Sequence, residues 1–327
     1  MHASIVVASI TLAALSLHAD RILFLSSNLT ERFALYTMAD DGTDIAPVLT
    51  NFAHPIWSPA ISGDQWTNMV IAFVSSASSV SNIFLTDLSG TGPAMVTNSG
   101  RALAVQFDAA GTIHYLRQAP GSRYGLWRIN RNGTGERQVF SNAFQTFPIG
   151  FQSFHIDTNR NEALLSSFSI RADIFRGSLA STSAAATLIT YPAFLDHYAP
   201  AASPDSTRIA YIADYGTGDH RVVVSPNING TQAYVQAGGW YSGNPSWSPD
   251  GSWIAYTRSR SSTFGANTYV GDILKVQPDG SGTVNLTTNT VHRSGCAFPL
   301  FYNIVPEPAA ALAAAAALAF AARRGRL

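Results

Sequence analysis

The stretch Asn244-Pro245-Ser246-Trp247-Ser248-Pro249-Asp250-Gly251-Ser252-Trp253-Ile254-Ala255-Tyr256 decides the fold. Pro249 fixes its own φ angle, Asp250 can hydrogen-bond within its own turn, and Gly251 can adopt the left-handed conformation. The β-branched and aromatic residues that follow the turn are typical of a strand. The stretch therefore predicts a hairpin whose first strand ends near Trp247 and whose second strand begins near Ile254.

Copies of this stretch recur along the chain. Ala199-Pro200-Ala201-Ala202-Ser203-Pro204-Asp205 leads into Ile209-Ala210-Tyr211, and Pro55-Ile56-Trp57-Ser58-Pro59 keeps the first half. Val105 to Gly111 and Phe154 to Asp157 are eroded versions. Because the motif is first a hairpin device, we expect Asp205 and Asp250 to have a structural role rather than a catalytic one.

A second landmark is a tight turn that returns about every 43 to 50 residues. Asn-Gly and Asp-Gly pairs reach the positive φ angles of hairpin turns, so each landmark is expected to join two antiparallel strands. Runs of four to six apolar, β-branched or aromatic residues flank the turns, and no stretch between them shows a helical period. The turns are Asp40–Thr43, Leu88–Thr91, Arg131–Thr134, the degenerate Leu179–Thr182, Ile228–Thr231 and Pro278–Ser281.

The repeats resemble the PD40, or TolB-type, propeller repeat, and the resemblance covers Asp20 to Ile304. It implies an all-β fold, a six-bladed β-propeller of four-stranded antiparallel blades. The first unit lacks its first strand, whereas Ser294 to Phe301 is left over at the other end and aligns with Ser242 to Pro249. Because a closed ring leaves few exposed strand edges, Phe298 to Phe301 are predicted to complete blade one.

Residues 1–19 have the features of a secretory signal peptide. The apolar run Ile5 to Leu17 is closed by Leu17-His18-Ala19, a small-residue cleavage context that predicts a mature start at Asp20. The alternative is an ordinary buried strand or helix.

Residues 305–327 combine Val305-Pro306-Glu307-Pro308, an apolar Ala-rich run from Ala309 to Ala322, and the basic residues Arg323, Arg324 and Arg326. This order resembles the PEP-CTERM sorting signal of Gram-negative bacteria. The resemblance implies cleavage at the Pro-Glu-Pro motif by an exosortase and delivery to the cell surface or extracellular matrix. Before cleavage the short helix would hold the chain in the membrane, with the arginines on the cytoplasmic side. The alternative is an Ala-rich helix of the globular domain.

Composition excludes several function classes. The chain has 20 Lys and Arg against 20 Asp and Glu, only 12% charged residues and one cysteine, Cys296. Nucleic acid is therefore not an expected partner, because phosphate binding needs a basic surface. A single cysteine also excludes an internal disulfide framework, a Cys-rich zinc site and a CxxC redox pair.

The loops that precede the inner strands are expected to open toward the central channel. Aromatic side chains there suit contact with a carbohydrate or a peptide. The candidate binding residues are His54, His197, Tyr198, Trp240, Tyr241 and His292. The same loops also contain Asp196 and Arg293.

The leading hypothesis is an exported, surface-sorted, non-enzymatic scaffold that binds a protein, peptide or glycan without a cofactor. The alternative is an enzyme similar to the metal-dependent oligogalacturonate lyases, with His54, His197 and His292 holding a divalent metal. A third hypothesis, a structural role in an exopolysaccharide matrix, depends only on the sorting signal. The fold cannot choose among them, because propellers host unrelated functions.

Overall fold

The computed structural model describes residues 19–304 except 28–32, 63–68, 78–79, 99, 119–123, 141–150, 169–171, 181–186, 191–195, 217, 227–232, 235–240, 260–270, 289 and 291–295. Over these residues the secondary structure consists of 24 β-strands and no helix. The strands form six separate four-stranded antiparallel sheets, which are the six blades of a propeller. The prediction of an all-β, six-bladed propeller is therefore confirmed.

Each blade is a meander in which every strand pairs with the next. In order from the inner to the outer strand, the blades are as follows. Blade 1 contains β24 (Cys296–Ile304), β1 (Ala19–Ser26), β2 (Ala34–Ala39) and β3 (Ala46–Leu49); blade 2 contains β4 (Ile56–Ile61), β5 (Val70–Ala77), β6 (Val80–Asp87) and β7 (Ala94–Met95); blade 3 contains β8 (Ala102–Phe107), β9 (Ile113–Gln118), β10 (Tyr124–Ile129) and β11 (Arg137–Gln138). Blade 4 contains β12 (Phe151–Asp157), β13 (Glu162–Phe168), β14 (Ala172–Ser178) and β15 (Thr187–Leu188); blade 5 contains β16 (Asp196–Ala202), β17 (Arg208–Asp214), β18 (His220–Pro226) and β19 (Ala233–Tyr234); blade 6 contains β20 (Tyr241–Trp247), β21 (Ile254–Ser259), β22 (Asp272–Val276) and β23 (Val284–Asn285).

The ring closes through the last strand of the chain. β24 pairs antiparallel with β1 over seven residue pairs, from Ala19 opposite Ile304 to Ser26 opposite Cys296. Phe301 packs with Ile22 and Phe24 of β1 and with Ile273 of blade 6. The predicted closing strand is confirmed and is longer than Phe298 to Phe301.

The predicted alignment of Ser294–Phe301 with Ser242–Pro249 is wrong by two residues. Four inner strands contain a bulge at a residue with positive φ that is followed by proline. Proline cannot donate to the ladder, so the bulge accommodates it. Phe298-Pro299 therefore corresponds to Asn244-Pro245, and the predicted alignment of Cys296-Ala297 with that pair is wrong. The four bulge residues are Ser58 (φ 45°), Ala199 (φ 51°), Asn244 (φ 52°) and Phe298 (φ 52°).

The same bulge corrects the partial repeat in blade 2. Ser58-Pro59 occupies the position of Asn244-Pro245 rather than that of Ser248-Pro249. The counterpart of Ser248 is Ser62, whose hydroxyl accepts the backbone N–H of Val70 at 3.0 Å. Ser248 accepts the N–H of Trp253 in the same way at 2.9 Å.

The Ser-Pro-Asp turns have the structural role that was expected. The Asp205 carboxylate accepts hydrogen bonds from the hydroxyl of Ser203 at 2.6 Å and the backbone N–H of Thr207 at 3.0 Å. These bonds lower the pKa of Asp205 to about 2. Asp250 accepts the equivalent bonds from Ser248 and Ser252.

The core lies between the blades, because alternate residues of each strand point to opposite faces of a sheet. On β17, Ile209, Tyr211 and Ala213 pack against blade 4. Ala210 and Ile212 of the same strand pack against blade 6. Each blade is therefore buried on both sides and depends on both of its neighbours.

The meander topology gives the ring two different faces. The turns from first to second strand and from third to fourth strand lie on one side, which we call the turn face; it includes 40–45, 108–112, 203–207 and 248–253. The remaining connections lie on the opposite side, which we call the loop face; its described residues include 50–55, 215–216 and 218–219. Neighbouring blades also make contact near this face: the amine of Lys275, close to the end of β22, lies 3.0 Å from the Asp40 carboxylate in the turn 40–45.

Candidate functional site

The structure describes four of the predicted binding residues, His54, His197, Tyr198 and Tyr241; they belong to segments at the loop face but do not form one group. Tyr198 lies near the start of β16 and Tyr241 begins β20, in adjacent blades. His54 precedes β4, is half-buried and meets the ring of Phe52 edge-on. Trp240 and His292 lie outside the described residues.

His197 and Tyr198 point to opposite faces of blade 5 because they are consecutive strand residues. The His197 side chain is fully buried on the blade 4 side, where its ring meets that of Tyr211 edge-on. Its Nδ1 lies 3.8 Å from the nearest Asp173 oxygen, beyond hydrogen-bond distance. His197 is therefore part of a blade interface and is not exposed to the channel.

Tyr198 instead points toward blade 6, where it meets His220, and His220 in turn contacts two further residues. The Tyr198 hydroxyl is hydrogen-bonded to Nδ1 of His220. The other ring nitrogen of His220, Nε2, lies 3.4 Å from the Asp214 carboxylate. The ring of Tyr241 lies 5.0 Å from that of His220, centroid to centroid. We call Tyr198, Asp214, His220 and Tyr241 the blade 5–6 cluster.

Strand pairing positions the centre of this cluster. Asp214 ends β17, His220 begins β18, and the two residues are directly opposite each other in the ladder. The hairpin between them closes with the backbone N–H of Tyr215 donating to the carbonyl of Asp219 at 2.9 Å. Gly218 has a φ of +83°, and a Cβ at this position would lie 2.8 Å from the Tyr241 hydroxyl oxygen. Glycine is therefore required here for the phenol of Tyr241 to lie against the hairpin.

Burial determines the protonation of His220. Desolvation lowers its pKa below the ordinary value of 6.5, although the charges of Asp214 and Asp219 oppose the shift. The imidazole is therefore neutral at pH 7. Because a carboxylate only accepts hydrogen bonds, we assign the proton to Nε2, facing Asp214, so that Nδ1 accepts the hydroxyl of Tyr198.

Two residues of the cluster are buried and two reach the surface. We call the two that reach the surface, Tyr241 and Asp214, the rim of the cluster. Tyr198 is only 4% exposed, and His220 is buried beside it. Tyr241 is half-buried, and the side chain of Asp214 is 28% exposed. Neither the Tyr198 hydroxyl nor the imidazole is placed to meet a substrate, whereas the exposed part of the cluster offers an aromatic ring and a hydrogen-bond acceptor, each in contact with His220.

A cation–π pair lies at the same hairpin. Arg221 makes a two-pronged ion pair with Asp219, with nitrogen–oxygen distances of 2.6 and 3.1 Å. Its guanidinium carbon lies 4.3 Å from the centre of the Tyr215 ring. The hairpin therefore adds a second aromatic ring, with a paired charge, to the loop face of blade 5.

Asp214 and His220 are not among the residues predicted from the sequence, because they lie outside the loops that precede the inner strands. Their signal is the stretch Asp214-Tyr215-Gly216-Thr217-Gly218-Asp219-His220, a glycine-rich hairpin with an acid and a histidine at its ends. A residue pair that flanks a hairpin is brought together by the ladder. This pattern could have identified the pair.

Metal binding by His54, His197 and His292 stays a prediction. Within the described ranges, no group of three or more His, Cys, Asp or Glu side chains is arranged to hold a metal ion. His292 lies outside those ranges.

Comparisons with known proteins show the fold. No protein-family model matches the chain, and no curated protein does. Among solved structures, TolB from Acinetobacter baumannii is 18% identical with a TM-score of 0.68, covering 86% of this chain and 66% of its own. A nidogen/laminin complex is 12% identical with a TM-score of 0.66, covering 86% of this chain and 98% of its own. A putative TolB from Agrobacterium tumefaciens is 13% identical with a TM-score of 0.61, covering 88% and 99%.

The stability of the ring is expected to fall in acid through His155 of β12. Although some of its surface is exposed, desolvation lowers the pKa of His155 to about 4, while Asp157 opposes the shift. The unfolded chain therefore binds a proton more readily than the folded one between pH 6.5 and 4, and stability decreases as pH falls through this window. At about 1.4 kcal/mol per pKa unit, the loss is on the order of 1–3 kcal/mol.

Urea unfolding of the wild type and of His155→Gln at several pH values checks this prediction. The variant is expected to lose less stability than the wild type between pH 6.5 and 4, and His54→Gln serves as the control. Equal losses in the wild type and His155→Gln would contradict the assignment.

Proposed function

We propose that this protein is an exported, non-enzymatic β-propeller scaffold that binds a peptide or glycan at the loop face, on the rim of the blade 5–6 cluster. The proposal rests on the different burial of the four residues of this cluster. Its hydrogen-bonded Tyr198 and His220 are buried and hold the geometry, whereas Tyr241 and Asp214 reach the surface. The aromatic side chain of Tyr241 and the carboxylate of Asp214, held in place by the buried residues, suit ligand recognition better than bond cleavage.

A glycan is the ligand class that this rim fits best. The exposed part of Tyr241 offers a flat apolar surface to the C–H face of a sugar ring, and the Asp214 carboxylate can accept hydrogen bonds from its hydroxyls. Peptide binding would use the same tyrosine with a backbone N–H in place of a hydroxyl. Both ligands predict that Tyr241 carries a large part of the affinity.

Export and sorting form the second part of the proposal. In this account residues 1–19 are removed, residues 20–304 form the propeller, and residues 305–327 are recognised by an exosortase-type enzyme. It is supported by the position of both proposed cleavage regions at the limits of the ring, since β1 begins at Ala19 and β24 ends at Ile304. No helix among the described residues is long and apolar enough to cross a membrane. The proposed destination is the periplasm, cell surface or matrix of a Gram-negative bacterium.

Replacing the ring of Tyr241 is expected to weaken binding. Ligands are first found by screening the wild-type protein against glycan and peptide arrays. Tyr241→Ala should then weaken the best ligand about tenfold, which corresponds to about 1.4 kcal/mol, whereas Tyr241→Phe should retain most of the affinity. Calorimetric titration gives both values, and Tyr36→Ala, a half-buried tyrosine of blade 1, is the matched control.

Unchanged affinity in Tyr241→Ala would contradict binding at this rim. Metal-dependent depolymerisation of a glycan that is lost on substitution of His54, His197 or His292 would instead favour the lyase alternative.

Removing the acid of the Pro-Glu-Pro motif is expected to block sorting. In a host with an exosortase, the wild-type chain should lose its C-terminal segment, and Glu307→Ala should keep it and stay in the membrane fraction. Mass spectrometry of the C-terminus measures the difference, with Pro47→Ala, an exposed proline of the propeller, as the control. Cleavage of Glu307→Ala at the wild-type rate would contradict recognition of this motif.

A further inference from the structure

The two ends of the described chain leave the propeller at one point. Ala19, the first residue of β1, is paired directly with Ile304, the last residue of β24. In the other blades, the corresponding ends of the first and second strands are joined by a turn such as 108–112 or 203–207. Both ends therefore emerge from the turn face.

This exit point is also close to the axis of the ring. β24 is the innermost strand of blade 1, and β1 is the second. A tether attached here pulls on the middle of the turn face and not on the rim of the ring. Such a tether favours one orientation of the whole propeller toward the surface that holds it.

The tether is short compared with the thickness of the ring. Only Val305 to Pro308 separate β24 from the apolar run that begins at Ala309. Four extended residues span at most about 14 Å. The two faces are separated by at least the length of an inner strand, about 20 Å for the six residues of β8. The loop face therefore cannot reach a membrane that holds the apolar run without displacing the turn face.

We propose that, before processing, the propeller stands on the membrane with its turn face toward the lipid surface and its loop face directed away from it. The inference rests on the proposed export and C-terminal sorting, and it adds an orientation that those proposals do not contain. The apolar run at residues 309–322 would hold the exported chain in the bilayer. The blade 5–6 cluster would then be open to ligand while the chain is still anchored.

Exposed carboxylates on the turn face reduce its attraction to an anionic lipid surface. Four exposed carboxylates on this face accept hydrogen bonds from the hydroxyls of neighbouring Ser or Thr residues, which lower their pKa values below 3.8. They therefore remain ionised and hydrated and are not attracted to anionic lipids. These carboxylates belong to Asp41, Asp87, Asp205 and Asp279.

Two variants of the full chain, each with one added cysteine, test the orientation. Ala110→Cys places a thiol at an exposed position of the turn face, and Val80→Cys places one at a position of the loop face that is 48% exposed. The native Cys296 is buried, and desolvation raises its pKa to about 12, so it stays protonated and resists labelling at pH 7. The unsubstituted chain measures any remaining background.

Each variant is labelled with the same fluorophore and reconstituted into phosphatidylethanolamine–phosphatidylglycerol vesicles that contain lipids with a nitroxide on the headgroup. Quenching in the vesicle-bound fraction is expected to be at least twofold stronger at Ala110→Cys than at Val80→Cys. Equal quenching, or stronger quenching at Val80→Cys, would overturn the orientation while leaving the sorting proposal intact. A full chain that does not float with the vesicles would overturn both.

Discussion

The ladder between β24 and β1 is the interaction on which the rest of the structure depends. Each blade buries both faces of its sheet against its neighbours, so the ring is stable only when all six interfaces are present. Blade 1 has its inner strand only because the end of the chain returns to pair with its beginning. The same ladder brings Ala19 and Ile304, the two ends of the described chain, to the turn face, opposite the loop face at which we propose ligand binding.

Local chemistry made most of the fold predictable. The Ser-Pro-Asp turns, the Asn-Gly and Asp-Gly hairpins and the apolar runs between them each specify a strand or a turn without distant contacts. The closing strand was found because one unit lacked a strand and another segment was left over. Its alignment was wrong by two residues because a proline in this family of strands can mark either the hairpin or the bulge, as Pro249 and Pro245 do. Only the ladder register distinguishes the two positions.

The site was less predictable because it forms between blades. Tyr198 and Tyr241 were expected at the loop face, and they do approach each other, but the histidine that joins them comes from the third strand of blade 5. His197 was predicted to lie with them. Because consecutive strand residues point to opposite faces of a sheet, its side chain instead lies in the interface with blade 4. The solved structures that resemble the chain are less than 20% identical and indicate the fold alone. The functional argument therefore depends on which side chains of the cluster are buried.

Ring closure is tested most directly by Phe301→Ala, compared with Met95→Ala on an outer strand. Phe301 is 8% exposed between blades 1 and 6, whereas Met95 is 54% exposed. If the β24–β1 ladder supports the whole ring, urea unfolding of Phe301→Ala will show a single cooperative transition with about 3 kcal/mol less stability, and Met95→Ala will change it by less than about 0.5 kcal/mol. A loss below about 0.5 kcal/mol in Phe301→Ala, or a separate early transition confined to blade 1, would contradict this account.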